Sequence, residues 1–258
     1  MRKIICHYHI YKNSGTSFDT LLTSNFGDNH ICFDGPFPFF SVDQEQLDKI
    51  ISRKPGIVAF SSHQIHLPVP VSLNYQVLPV VFIRHPLLRI SSVYKFKRQI
   101  DDGTNISIAA CKMNFDEWVS HCFSSGQEMT HVSNGQTRIL GAAYRQKPLL
   151  RRTPQSMEYD INQAIRNINN VPLLARTEYF NEDVSRFPKI LAQHDIDFSF
   201  KKIDPQNSTS KDIHQPISDR VKRVEESLSQ DNYEKIINAN MQDQRLFEYA
   251  SSLIDGSK

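Results

Sequence analysis

The sequence predicts an α/β domain, a central parallel sheet flanked by helices, and three observations carry that prediction. Short apolar runs alternate with amphipathic stretches, the strand–helix–strand order that a parallel sheet requires. Two of the runs, 77–83 and 171–175, are almost continuously apolar, as strands covered on both faces are. The 258 residues contain no internal repeat, low-complexity tract or Pro/Gly-rich linker, so one domain over 1–258 has enough chain to cover such a sheet.

Taken in order, 3–10 is the first strand and 11–15 a polar turn. A helix starts at Thr16 and lines up Phe18, Leu21, Leu22 and Phe26 on one face. The Gly-, Pro- and Phe-rich stretch 27–41 reads as an irregular loop, 43–52 as a short helix and 56–60 as a second strand. After the third strand, 77–83, Pro86 stands in the first turn of a helix, where its missing N–H costs nothing, and that helix runs to Gln99. Residues 115–124, 133–141 and 156–169 read as helices, 171–175 as a further strand, and 179–194 and 217–254 as helices. A polar segment, 201–216, separates those last two. The expected core is about 3–200, with a C-terminal helical extension over about 216–254.

Composition sets limits on the ligand. A formal net charge of +2 gives no overall field for nucleic acid or an anionic membrane, so any anionic ligand must be held by a local cluster. Cys6, Cys32, Cys111 and Cys122 are too few for a disulfide framework and lack CxxC or CxxxH spacing. They read as thiols in a reducing compartment, with a Cys111–Cys122 bridge left open, and no metal site is expected. The N-terminal apolar run is too short and polar for a signal peptide, and no segment approaches the ~20 apolar residues of a membrane span. The expectation is a soluble cytoplasmic protein, although an excised Golgi-lumenal domain would read the same.

Two local patterns carry chemistry. The first strand runs into Lys12-Asn13-Ser14-Gly15-Thr16-Ser17, which opens a helix. A strand–turn–helix of this kind presents successive backbone N–H groups and a helix N-terminus to an anion. Gly15 permits close backbone approach, Thr16 and Ser17 offer hydroxyls, and Lys12 adds a charge. A plain capped turn would use the same residues. The nucleotide-triphosphatase order GxxxxGK[ST] is not met, because Lys12 precedes Gly15. At the end of the third strand stands Arg84, followed by Pro86, Arg89, Ser92 and Tyr94. Ligands of open α/β sheets bind at such strand ends, where a guanidinium offers forked donors to phosphate. The alternative is that Arg84 pairs with a carboxylate and that Ser92 and Tyr94 pack.

Lys12-x-Ser14-Gly15-Thr16-Ser17 resembles the 5′-phosphosulfate loop of sulfotransferases that use 3′-phosphoadenosine-5′-phosphosulfate (PAPS). Arg84-x-Pro86-x-x-Arg89-x-x-Ser92-x-Tyr94 resembles their 3′-phosphate motif. Asn134-x-Gln136-Thr137-Arg138-x-Leu140-Gly141 and Leu174-Ala175-Arg176-Thr177-Glu178-Tyr179-Phe180 resemble segments of the carbohydrate branch, the heparan and uronyl 2-O-sulfotransferases and their bacterial relatives. Asn207-Ser208-Thr209 is similar to a late Asn-Ser/Thr element. The resemblance implies a P-loop-like domain in which Lys12, Asn13, Ser14, Gly15, Thr16 and Ser17 hold the 5′ group and Arg84 and Ser92 the 3′-phosphate. Asn13 and His85 depart from the usual residues without removing a needed charge. The family's Gly-His segment corresponds to Ser62-His63, which makes His63 the candidate base beside Lys12 as the other catalytic residue. His66 is the runner-up, whereas His7 and His9, inside a strand, are expected to pack.

Arg138 is a candidate contact to nucleotide or anionic acceptor, and Arg138 and Glu178 equally suit structural ion pairs. The implied reaction moves a sulfuryl group from PAPS to an acceptor hydroxyl, of a glycan or glycoconjugate, leaving adenosine 3′,5′-bisphosphate. A P-loop small-molecule kinase and a non-catalytic nucleotide-binding relative are the rival readings.

Overall fold

The computed structural model describes residues 1–35, 41–100, 102–141, 161–202 and 215–256. The expected helix start at 156–160, most of the polar segment 201–216 and the element Asn207-Ser208-Thr209 lie outside them.

Five strands form one all-parallel sheet: β1 (Arg2–Tyr8), β2 (His30–Cys32), β3 (Ala59–Ser62), β4 (Tyr75–Ile83) and β5 (Leu173–Arg176), in the order β2-β3-β1-β4-β5. From β1 the chain crosses through α1 (Gly15–Phe26) to the β2 edge and returns by α2 (Gln44–Ser52) to β3. It then passes to the other side of β1 as β4. The carboxyl end of β1 is therefore where the winding direction reverses, the place where open α/β sheets form a ligand crevice.

Both faces of β1 are covered. Ile4, Cys6 and Tyr8 pack with Val77, Val81 and Ile83 on one face, and Ile5 packs with Phe18, Leu22, Leu78, Val80, Phe82 and Phe187 on the other. α3 (Pro86–Gln99) follows β4, with Pro86 in its first turn as expected. α4 (Asn105–Lys112), α5 (Phe115–Ser124) and α6 (Gly135–Gly141) follow, then α7 (Ile161–Ile168).

Several elements differ from expectation. The 27–41 loop contains β2, whose three residues are too few to show a period. α4 occupies a stretch between the helices expected to end at Gln99 and to begin at 115. The helix expected over 179–194 is two, α8 (Phe180–Val184) and α9 (Phe187–Ala192), and Pro188 stands in the first turn of the second. The helix expected over 217–254 is three: α10 (Ile217–Glu226), α11 (Gln230–Ala239) and α12 (Met241–Asp255). Ser229 caps α11, accepting from the Asn232 N–H, and so starts a new helix within the run. α12 is part of the core, because its Leu246, Phe247, Ala250 and Ile254 belong to the same cluster as Ile4 and Val81. All four cysteines are free, so the Cys111–Cys122 bridge is not formed. No helix among the described residues is long and apolar enough to cross a membrane.

Candidate active site

Between β1 and α1 the chain passes Lys12 and Ser14 with φ of 67° and 62°, two left-handed residues that curl the loop around Asn13. Asn13 is buried. Its Nδ2 donates to the Phe82 carbonyl (2.8 Å) and to Gln136 Oε1 (2.7 Å), and its backbone N–H donates to the Ile10 carbonyl (3.1 Å). Both of its donor groups are thus spent inside the protein, and the side chain pins the loop to β4. Gly15, Thr16 and Ser17 form the first turn of α1, where helix geometry supplies no partner for backbone N–H groups. Ser14 takes the cap position without a side-chain cap bond.

Gly15 has a reason the sequence did not suggest. A Cβ there would sit 1.6 Å from His9 Nε2, so the glycine makes room for an imidazole rather than for a ligand alone.

The cations converge. An Arg84 guanidinium N–H donates to the Lys12 carbonyl at 2.7 Å, and the Lys12 ammonium lies 4.1 Å from the centre of the Phe96 ring. Burial and the neighbouring Arg84 pull the Lys12 pKa down to about 8. Burial pulls Arg84 down to about 10, against the opposing pull of Glu178, whose Oε1 lies 3.5 Å from Arg84 Nε. The same burial holds Glu178 above the usual carboxylate range, with Arg84 opposing. The expected alternative for Arg84, a carboxylate partner, is therefore present alongside the contact to the loop.

Arg89 is also buried, with Asp243 favouring its charge and Arg138 opposing it. Its Nε has no hydrogen-bond partner. His85 packs edge-on against Phe247, and burial draws its pKa down to about 4. Ser92 is half-buried on α3, three residues past Arg89 and so near it on the helix surface. Tyr94 does pack: its hydroxyl donates to the Met113 carbonyl at 2.8 Å, within a buried cluster that includes Trp118.

Across β1, His63 follows the end of β3. Its Nδ1 lies 2.8 Å from the His9 carbonyl, and a carbonyl can only accept. Nδ1 therefore carries the hydrogen, which leaves the Nε2 lone pair as the basic site. The His63 ring centre lies 3.7 Å from that of His9 with the planes tilted by 30°, its backbone N–H donates to Asp34 Oδ1 (3.0 Å), and Ser62 donates to the same oxygen (2.8 Å). Partial burial against these neighbours, and then the charge of His9, lower the His63 pKa, while Asp34 and Asp19 oppose. Tyr11 connects the two halves, meeting His63 edge-on at 6.3 Å and Phe96 at 5.8 Å.

Two other candidates stand elsewhere. His66 is buried, with its Nδ1 3.4 Å from the Ile139 carbonyl on α6. The Arg138 guanidinium donates to the carbonyls of Thr130 and Ser133. Both contacts suit bracing.

Several residues were not read from sequence. Gln136 is the brace of the site: its Oε1 accepts from Asn13 and from the Arg84 N–H (2.8 Å), and its Nε2 donates to the Arg84 carbonyl (2.8 Å). Asp243 of α12 in turn accepts from the backbone N–H groups of Gln136 (3.1 Å) and Thr137 (2.7 Å). An Asp amid polar helix residues looks like a surface charge, so only Gln136, within the noted motif, gave any signal. His7 and His9 do more than pack. Their Nδ1 atoms lie 2.8 and 3.4 Å from the two carboxylate oxygens of Asp19. Burial opposes the Asp19 charge, but hydrogen bonds from His7, His9 and Ser61 hold its pKa far below the usual range.

The sequence model of the sulfotransferase family (Sulfotransfer_2) matches residues 3–250. An uncharacterized protein of Archaeoglobus fulgidus is 25% identical over 253 residues, which cover 96% of this chain and 95% of that one.

Proposed function

This chain belongs to the sulfotransferase family, and we propose that it transfers the sulfuryl group of PAPS to the hydroxyl of an acceptor, with a carbohydrate as the acceptor class. The observation that carries the PAPS reading is the hydrogen bond from the Arg84 guanidinium to the Lys12 carbonyl, which ties the end of β4 to the loop that opens α1. Both cations lose proton affinity to burial, and Arg84 further opposes the charge of Lys12, a cost that a bound anion removes. The carbohydrate class rests on the motif resemblance.

In this reading Lys12, the Ser14 hydroxyl and the first-turn amides of Gly15, Thr16 and Ser17 hold the 5′-phosphosulfate. Arg84 and Ser92 hold the 3′-phosphate. The acceptor oxygen attacks sulfur in line, forming the O–S bond as the bond from sulfur to the phosphate oxygen breaks. His63 Nε2 takes the acceptor proton and Lys12 stabilises charge on the leaving oxygen. Adenosine 3′,5′-bisphosphate is the second product. Family membership does not favour the kinase rival.

Thermal unfolding tests the donor. Adenosine 3′,5′-bisphosphate at a hundredfold excess over its Kd should stabilise the protein by about 2.7 kcal/mol, with ATP and magnesium giving far less. Protection by ATP and magnesium alone would return the kinase reading. Incubation with labelled PAPS and a panel of glycans, lipids, peptides and small alcohols tests the acceptor, with label expected in the glycans. Label confined to another class would replace the carbohydrate.

A further inference from the structure

Outside the transfer site, three metal-ligand side chains meet where β2 lies beside α1. His30 and Cys32 are alternate residues of β2, so their side chains share one face of the sheet edge. Asp19 comes from the second turn of α1. Donor atoms of the three all lie within 4.8 Å of one another, with His30 Nε2 3.7 Å from Cys32 Sγ.

The surrounding protons decide what His30 offers. Thr23 spends its hydroxyl hydrogen on the Asp19 carbonyl, 2.9 Å away. Towards His30 Nδ1, at 3.0 Å, Thr23 can then only accept. Nδ1 therefore carries the hydrogen, and Nε2 turns a lone pair to Cys32 Sγ and to the Ser61 hydroxyl, the latter at 3.1 Å.

We propose that Asp19, His30 and Cys32 bind a divalent transition-metal ion of the zinc class. One imidazole nitrogen, one carboxylate oxygen and one thiolate are the mixed donors that such an ion accepts, with Ser61 or water left for the fourth position. The groups behind the ligands are of the kind that orient metal ligands. Thr23 fixes the imidazole tautomer, and His7 and His9 each hold one oxygen of the carboxylate. Cys32 is exposed, which gives the ion a route in.

Binding exchanges the thiol proton of Cys32 for the ion and releases that proton to solvent. The ion would tie edge strand β2 to α1, the helix whose start forms the anion loop. A CxxC or CxxxH search passes over this site, because a His-x-Cys pair on a strand is completed by a helix residue eleven positions upstream of His30.

Titration of chelator-treated protein with Co(II) tests the site. Wild type should take up one equivalent, with a thiolate-to-cobalt charge-transfer band that one equivalent of Zn(II) abolishes. Cys32→Ser should lose that band, whereas Cys111→Ser, at the other exposed cysteine, should keep it. Thr23→Val, which frees the His30 tautomer, should weaken binding about tenfold. Circular dichroism confirms that each variant is folded. A wild type without the band overturns the proposal, and so does a band that survives in Cys32→Ser.

Discussion

The two sides of β1 treat charge in opposite ways. Towards β4, Lys12, Arg84 and Arg89 are crowded cations, each losing proton affinity to burial. Towards β3, His7, His9 and Asp19 pair with one another, and His63 is held by a backbone carbonyl, the adjacent His9 ring and Asp34. On the β4 side Glu178 does not restore the proton affinity that Arg84 loses to burial, while on the β3 side His63 keeps a lone pair on Nε2. The contrast divides the proposed labour: the β4 side holds the donor's charge, and the β3 side receives the acceptor's proton.

Substituting each side tests that division. His63→Ala should lower turnover by about 10²–10⁴-fold while adenosine 3′,5′-bisphosphate binding stays near wild type, as calorimetry would show. Near-normal turnover would move the base elsewhere. Lys12→Met should lower turnover by about 10²–10³-fold without lowering the urea midpoint, because it removes a half-buried charge whose proton affinity burial already lowers. A clear fall in that midpoint would make Lys12 a structural cation and blur the contrast.

Asp243→Ala probes the scaffold shared by both sides. It strands two backbone N–H groups at the start of α6 and should cost about 2–4 kcal/mol in urea unfolding. The pH dependence is the finest test. His63 must be neutral to act, and its pKa lies below the ordinary 6.5, so the rising limb of kcat/KM should lie below that pH. Lys12 must be charged, so in the free enzyme the falling limb should lie near pH 8, well below an ordinary lysine. Asp34→Asn removes a carboxylate that favours the His63 charge and should move the rising limb a little lower still. A shift upward would mean that Asp34 does not act on His63 through its charge.

Much of this was legible because it is local. Parallel strands buried on both faces show as apolar runs, and Pro86 marks a helix start within its own tetrapeptide. The loop and Arg84 could be placed because each directly follows its strand. The roles that were missed depend on partners far along the chain. Asn13 looks like a loop donor until Gln136, 123 positions away, claims its amide, and Asp243 looks solvated until α6, about 107 positions back, lays its first N–H groups upon it.

By itself, then, the sequence determined the strand–helix order and the cations at two strand ends, since hydrophobic period and turn chemistry act over a few residues. Only the tertiary structure decided that Gly15 accommodates His9, that His63 presents Nε2, that α12 belongs to the core, and that His30 and Cys32 meet Asp19. Each of those depends on which distant groups become neighbours when the sheet closes. Hydrogen-bond donors and acceptors are assigned by that proximity, which residue type alone does not encode.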